Sequence, residues 1–273
     1  MNILINNKYQ IMDTVGKGAF GEIFIGKNIN TYEKVAIKVQ LEDEVAILRN
    51  EARMYNILNN ITGVPKLKTF GKKDNCYYIV IQLLGPQLER NISLNKAINV
   101  GIQLIEIIEK IHNCGIIHRD IKPDNILYSL RNKTKIYIID FGLAKYYLDH
   151  NSIHMGEKKN SEIIGSLDFI SLNVHEGTAP SRRDDLISIF YVLLYIIKGT
   201  LPWSNHNSIE SVYKNKKTID YRHYYKVNSL PENIYKMYDY CYKMNYSMKP
   251  DYNYLVNLFK TIDVNNLKIM TNK

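Results

Sequence analysis

The residues best equipped for chemistry lie in one stretch, His118-Arg119-Asp120-Ile121-Lys122-Pro123-Asp124-Asn125. Proline and two aspartates break any periodic pattern, so the stretch reads as a loop. Ile116 and Ile117 before it, with Ile126 and Leu127 after it, anchor both ends. A carboxylate, an ammonium and a carboxamide are thereby held a few residues apart, a grouping that suits phosphoryl transfer. Asp120 can accept the proton of an attacking hydroxyl, Lys122 can neutralise charge on the moving phosphoryl group, and Asn125 can hold a metal ion. The bland alternative is a charged surface loop, but the order H-R-D-x-K-P-x-N is too specific to favour it. Chemistry of this kind requires a nucleotide site elsewhere in the chain.

Three further places have residue types that would supply one. Asp140-Phe141-Gly142 follows a strand-like run, Lys135 to Ile139, and a carboxylate at a strand end beside a flexible glycine suits a Mg²⁺ ligand. Gly16-Lys17-Gly18-Ala19-Phe20-Gly21 lies between alternating segments containing Ile11, Val15, Ile23 and Ile25. G-x-G-x-x-G alone is a weak signal, because dinucleotide folds use it between a strand and a helix. Here period two continues after Gly21, which favours a hairpin lid whose backbone amides approach phosphate oxygens. Lys38 sits inside the β-branched strand Val35 to Val39, a costly position without anionic partners such as phosphates and a carboxylate. Val45, Leu48, Ala52, Tyr55 and Leu58 recur at helical spacing over Glu42 to Leu58, and Glu51 on that helix is placed to reach back to Lys38.

The elements that position these groups follow in order. Cys76 to Leu84 is strand-like and Leu84-Gly85-Pro86 breaks the pattern, which puts a lobe boundary there. Gln82 and Leu84, on the connecting strand, can offer backbone groups to an adenine edge. Ile98, Ile102, Ile105, Ile108, Ile111 and His112 mark a long amphipathic helix leading into the catalytic stretch, with His112 read as packed or solvated rather than as a ligand. Leu143 to Asn173 lacks periodicity and suits a mobile substrate-facing loop, with His150 and His154 expected in solvent. Ser181-Arg182-Arg183-Asp184-Asp185 opens the apolar run Leu186 to Ile197, where acidic residues match the helix dipole and a buried carboxylate can tie down the catalytic-loop backbone. Gly199 to Trp203 closes that helix, and the remainder is Tyr-rich and helical in character.

Composition adds bounds. The 273 residues suffice for two lobes around a cleft, and 45% hydrophobic with 23% charged residues is ordinary for a globular chain. The net charge of +9 favours acidic partners, but the lysines are scattered rather than blocked, as for a solubility charge. Cys76, Cys114 and Cys241 are far apart and fit neither a metal box nor a disulfide framework, so a reducing compartment is expected. The first residues show no secretory signal, and Leu186 to Ile197 is too short to span a bilayer. A soluble intracellular protein, cytoplasmic or nuclear, is the expectation.

Taken together, Gly16, Gly18, Gly21, Lys38, Glu51, Asp120, Asn125 and Asp140 resemble the protein kinase signature set, in the right order. The chain resembles the casein kinase 1 family in particular: Leu83-Leu84-Gly85-Pro86-Gln87-Leu88-Glu89 is similar to its hinge, and Ser171-Leu172-Asn173 stands where most kinases have Ala-Pro-Glu. Gly165 to Phe169 and Thr178 to Arg183 lean towards the related vaccinia-related kinases. The resemblance runs from about Tyr9 to Phe259. It implies an α+β, two-lobed protein kinase fold in one catalytic domain over 1–273. An antiparallel-sheet N-lobe with one main helix (about 1–84) would precede a larger helical C-lobe (about 85–273). It further implies ATP and Mg²⁺ as cofactors and serine or threonine on proteins as acceptor, since Lys122 marks the serine/threonine form of the loop. ATP would be bound by Val15, Gly16, Gly18, Gly21, Ile23, Ala36, Lys38, Glu51, Gln82 and Leu84. Asn125 and Asp140 would hold the metal, and Asp120 and Lys122 would be catalytic.

One departure concerns acceptor choice. Casein kinases 1 have an arginine where Asp168 stands, and a carboxylate there repels an acidic or phosphorylated flank. Lys214 matches another basic residue of that anion site, but Ser211 and Val212 replace neighbouring ones. The family's extended C-terminal tail is not seen, so autoinhibition by such a tail is not expected. A monomer without membrane attachment is expected, and nucleic acid is not expected as the primary ligand. Two competing readings are a pseudokinase scaffold, which usually lacks one of the key residues retained here, and a nucleic-acid binder, for which no basic stripe is present.

Overall fold

The computed structural model describes residues 4–18, 21–41, 45–205, 208–228 and 230–263. Ala19 and Phe20 of the glycine turn, and Glu42 to Glu44 at the expected helix start, lie outside the described residues. The chain forms two compact units, Met1–Pro86 with Leu127–Ala144, and Gln87–Ile126 with Lys145–Lys273. The sequence suggests one break near Gly85. The segment from Leu127 groups with the first unit because Gly85 N–H donates to Tyr128 O, Tyr128 N–H to Pro86 O, and Ile138 N–H to Gly63 O.

The first unit is built on a six-stranded antiparallel sheet in the order β1-β2-β3-β4-β6-β5. Its strands are β1 (Leu4–Ile5), β2 (Tyr9–Gly18), β3 (Gly21–Asn28), β4 (Lys34–Leu41), β5 (Leu67–Lys73) and β6 (Cys76–Gln82). The period-two pattern sorts residues by face. Val35 and Ile37 pair with Gln82 and Val80 and pack with Ile5, Tyr9 and Tyr78 into one core. Ala36 and Lys38 point to the other face, where Ile79 packs with Leu48 and Ala52 of helix α1 (Val45–Ile57). The glycine-rich segment is a hairpin, as expected: β2 and β3 pair antiparallel up to Gly18 opposite Gly21. Gly21 has φ +125°, and a Cβ there would collide with the Val39 carbonyl, so only glycine fits. Strands β8 (Ile126–Tyr128) and β9 (Ile136–Ile138) form a small pair.

The second unit is mainly helical. Helices α2 (Leu94–Asn113), α4 (Arg182–Lys198), α7 (Glu232–Lys243) and α8 (Tyr252–Lys260) pack on one another, with α3 (Leu172–His175), α5 (Ile209–Thr218) and α6 (Tyr221–Val227) around them. On α2 the buried stripe is Ala97, Val100, Leu104, Ile105, Ile108 and Ile111, while Ile98 and Ile102 are half-buried at its edge. Helix α4 is buried nearly all round, as its unbroken apolar run requires, and ends at Gly199 with φ 77°. Strand β7 (Ile116–Ile117), just before the stretch His118 to Asn125, pairs with β10 (Lys145–Tyr146). No helix among the described residues is long and apolar enough to cross a membrane. One expectation is corrected: His154 is packed between Tyr147 and Tyr246 with Nδ1 at 2.7 Å from Met155 O, because it pairs back onto Leu148, whereas His150 is exposed.

Candidate functional site

In the first unit the strand lysine finds the partners its burial demands. Lys38 Nζ donates to Glu51 Oε2 at 2.7 Å and lies 3.6 Å from Asp140 Oδ1. Glu51 is buried in the middle of α1, on the face turned to the sheet. Burial disfavours the charge on Lys38, but the two carboxylates outweigh it and raise its pKa. Burial also pushes the Glu51 carboxyl up, to about 7, against the pull of the Lys38 ammonium.

Asp140 follows β9 with φ 64°, a left-handed conformation an aspartate tolerates better than most residues. Its N–H donates to Tyr55 Oη, and its Oδ1 accepts from Gly142 N–H. Phe141 is fully buried with its ring edge on Tyr55, 5.2 Å between centroids. Asn50 on α1 donates from Nδ2 to Gly142 O and Ala144 O, each at 2.9 Å. Helix α1 therefore supplies Asn50 and Tyr55 to one short segment, and Glu51 to the lysine beside it.

Of the other expected nucleotide residues of this unit, all but Leu84 lie on strands of the sheet. Ile23 pairs with Lys38 and Ile25 with Ala36, so Ile23, Ala36 and Lys38 lie on the face that carries α1. Val15 sits in an irregularity of β2 between Thr14 and Gly16 and is 60% exposed. Gly16 is open, with no atom within 4 Å of where a Cβ would stand. Gln82 N–H donates to Lys66 O. Leu84 is buried.

In the second unit Asp120 is enclosed by donors. Oδ1 accepts from Ser166 N–H at 3.0 Å and from Ser166 Oγ at 2.8 Å. Oδ2 accepts from Lys122 Nζ at 2.8 Å and Asn125 Nδ2 at 3.2 Å. Lys122 Nζ also donates to Ser166 Oγ. Burial would raise the Asp120 pKa, but Lys122, Ser166 and His118 outweigh it and hold the carboxyl below the ordinary range. The surroundings thus favour the ionised carboxylate.

The loop backbone is fixed by Asp185 on α4. Its Oδ2 accepts from His118 N–H at 2.8 Å and its Oδ1 from Arg119 N–H at 2.9 Å. Arg119 has φ 70°, which costs roughly 1 kcal/mol. A hydrogen bond to a charged group contributes about 1.5–3 kcal/mol, enough to hold that conformation. His112 Nε2 is 2.9 Å from Asp185 Oδ2, and its Nδ1 is 2.7 Å from Tyr252 Oη. Burial lowers the His112 pKa, and a neutral ring protonated at Nε2 satisfies both contacts. Asp184, one residue earlier, binds Ser171 Oγ, Asn173 Nδ2 and Ser181 N–H, which ties Ser171-Leu172-Asn173 to the start of α4.

Sequence patterns did not point to Ser166, Asn50, Tyr55 or Tyr252, whose partners lie far away in the chain and follow no period. A groove of 670 Å³ in this unit is lined by Glu89, Arg90, Asp124, Asp168, Phe169 and Tyr195, among others. Among the described residues no group of three His, Cys, Asp or Glu forms a metal cage. Asp140 in the first unit and Asn125 in the second each carry a hard oxygen donor. Asn125 spends its Nδ2 on Asp120 O and Oδ2, so its oxygen is the atom left for a cation.

The chain matches the protein kinase domain family over residues 9–257, most of its 273 residues. The antiparallel-sheet N-terminal part and helical C-terminal part are the α+β architecture of the two-lobed kinase fold.

Proposed function

Because the chain belongs to the protein kinase family, we propose that it transfers the γ-phosphoryl group of ATP to serine or threonine hydroxyls of proteins, as a casein kinase 1-like enzyme. The observation that carries this is Asp120 held ionised by Lys122, Asn125 and Ser166 on a loop fixed by Asp185. Asp120 orients the attacking hydroxyl and takes its proton late in the transfer. Lys122 offsets negative charge as it develops on the phosphoryl oxygens. Gly16, Gly18 and Gly21 cover the phosphates, and Lys38, aligned by Glu51, neutralises them. Val15, Ile23 and Ala36 flank the base, with backbone groups of Gln82 and Leu84 at its edge. Asn125 and Asp140 would hold Mg²⁺, which would supply positive charge against the phosphates.

The pseudokinase alternative loses ground because Lys38, Asp120, Asn125 and Asp140 are all retained. Serine/threonine choice is supported by Lys122, and the carboxylate of Asp168 argues against acidic or phospho-primed flanks. A peptide array presenting Ser, Thr or Tyr between acidic, phosphorylated, neutral or basic flanks tests both points. Label from ATP should enter Ser or Thr peptides and avoid the acidic and primed ones. Label confined to Tyr, or to primed peptides, would contradict the assignment.

A further inference from the structure

Lys216 on α5 is a fully buried amine that no step of the proposed transfer uses. Its Nζ donates to Leu167 O and Ile170 O, each at 2.7 Å, and lies 3.4 Å from His175 Nε2. It also stands over the rings of Tyr191 and Trp203, 4.8 and 5.2 Å from their centroids. Two carbonyls and an imidazole nitrogen thus surround the amine. Burial holds its pKa well below the ordinary lysine value, opposed by Asp168. Burying a lysine without a hydrogen-bonded carboxylate is costly, so this one serves a purpose that an apolar side chain cannot.

That purpose is visible in what the amine holds. Leu167 to Ile170 directly follow Ser166, whose N–H and hydroxyl both donate to Asp120 Oδ1. Phe169 N–H and Ile170 N–H fold back onto Ser166 O, making one tight turn. Trp203 Nε1 donates to Asp168 O at 2.8 Å. The carbonyls of Leu167, Asp168 and Ile170 are therefore each tied to a buried donor, and two of the three ties come from Lys216.

We propose that Lys216 is a positioning residue for the protein-acceptor side of the reaction. It fixes the Leu167–Ile170 turn, and so sets the contact of Ser166 with Asp120 and the placement of Asp168 in the groove it lines with Glu89, Arg90 and Asp124. The proposal rests on the kinase reading and adds which substrate Lys216 serves.

The test uses the full chain with Lys216→Met, which keeps volume and removes the donors. Expected is a rise of about 10-fold in KM for a serine peptide, with KM for ATP changed less than about twofold. In a cycle with Ser166→Ala, the double variant should be within about twofold of Ser166→Ala alone, because both changes break one unit. Additive losses, or equal rises in KM for ATP and peptide, would overturn the proposal in favour of general loosening. If Lys216→Met does not fold, Lys216→Gln, which keeps two of the three N–H donors without the charge, enters the same cycle with the same criteria. If the wild-type chain phosphorylates nothing, the kinase reading fails separately. Fluorescence anisotropy with a labelled alanine-for-serine peptide then decides: weaker binding by Lys216→Met supports the role, and equal binding overturns it.

Discussion

In the first unit Lys38, Glu51 and Asp140 come from a strand, a helix and the end of a later strand, and charge attraction brings them together. In the second, Asp120, Lys122 and Asn125 lie within six consecutive residues, and neutral donors and backbone amides do most of the holding. Each place has a non-glycine residue in left-handed conformation, Asp140 and Arg119. The Asp140 N–H meets a tyrosine hydroxyl, and the Arg119 N–H meets a buried carboxylate. Burial pushes the Glu51 carboxyl up, while four donors hold the Asp120 carboxyl down. The difference suits the proposed division of labour: the Lys38 site answers to a polyanion and can adjust when it arrives, whereas the Asp120 site must be set before a hydroxyl enters.

The largest expected effect is on the preset site. Asp120→Asn should lower turnover by about 10²–10⁴-fold while leaving ATP affinity near wild type. Steady-state kinetics with a nucleotide titration would break the comparison if ATP affinity fell in parallel. Asp185→Ala removes the acceptor for two backbone amides and leaves His112 without its carboxylate. A loss of about 3–5 kcal/mol in unfolding free energy is expected, measured by denaturant titration, with activity falling even where the chain remains folded. A loss below about 1 kcal/mol would mean that the loop does not depend on this carboxylate.

Glu51→Gln should act on the adjustable site, raising KM for ATP about 10-fold, because the neutral amide can still accept from Lys38 Nζ but no longer holds it by charge. A peptide KM that rises as much as the ATP KM would blur the division.

The smallest effect is in pH. Burial and the neighbouring Lys216 push His175 down to about 4 from 6.5, and burial lowers His112 as well. As pH falls through 6.5 the unfolded chain takes up protons that the folded chain refuses. The stability contributed by the neutral rings is therefore complete above 6.5 and is lost between 6.5 and about 4. Tm should fall over that window and fall less in His175→Asn. A flat Tm would show that the two rings titrate alike in both states.

Much of the Asp120 site was legible because its groups are local. The reach of Glu51 to Lys38 and the tie of Asp185 to the loop could also be anticipated, since each follows from a periodic element placed next to a costly charge. Ser166, Asn50 and Tyr55 could not. Serine, asparagine and tyrosine carry no charge that demands a partner, and their contacts span 46, 91 to 94 and 85 residues. His154 was misjudged because Ser and Asn around it suggested solvent, whereas the aromatic rings that enclose it come from Tyr147 and from distant Tyr246. Lys216 was hidden among exposed basic neighbours, Lys214 and Lys217.

Phosphoryl transfer itself is the most direct test of the account. The purified chain, mixed with γ-labelled ATP, Mg²⁺ and a serine peptide with neutral flanks, should form phosphoserine in a wild-type single turnover, and Lys38→Met and Asp120→Asn should each suppress it. Tight nucleotide binding with no transfer by the wild-type chain, or transfer undiminished in Asp120→Asn, would contradict it.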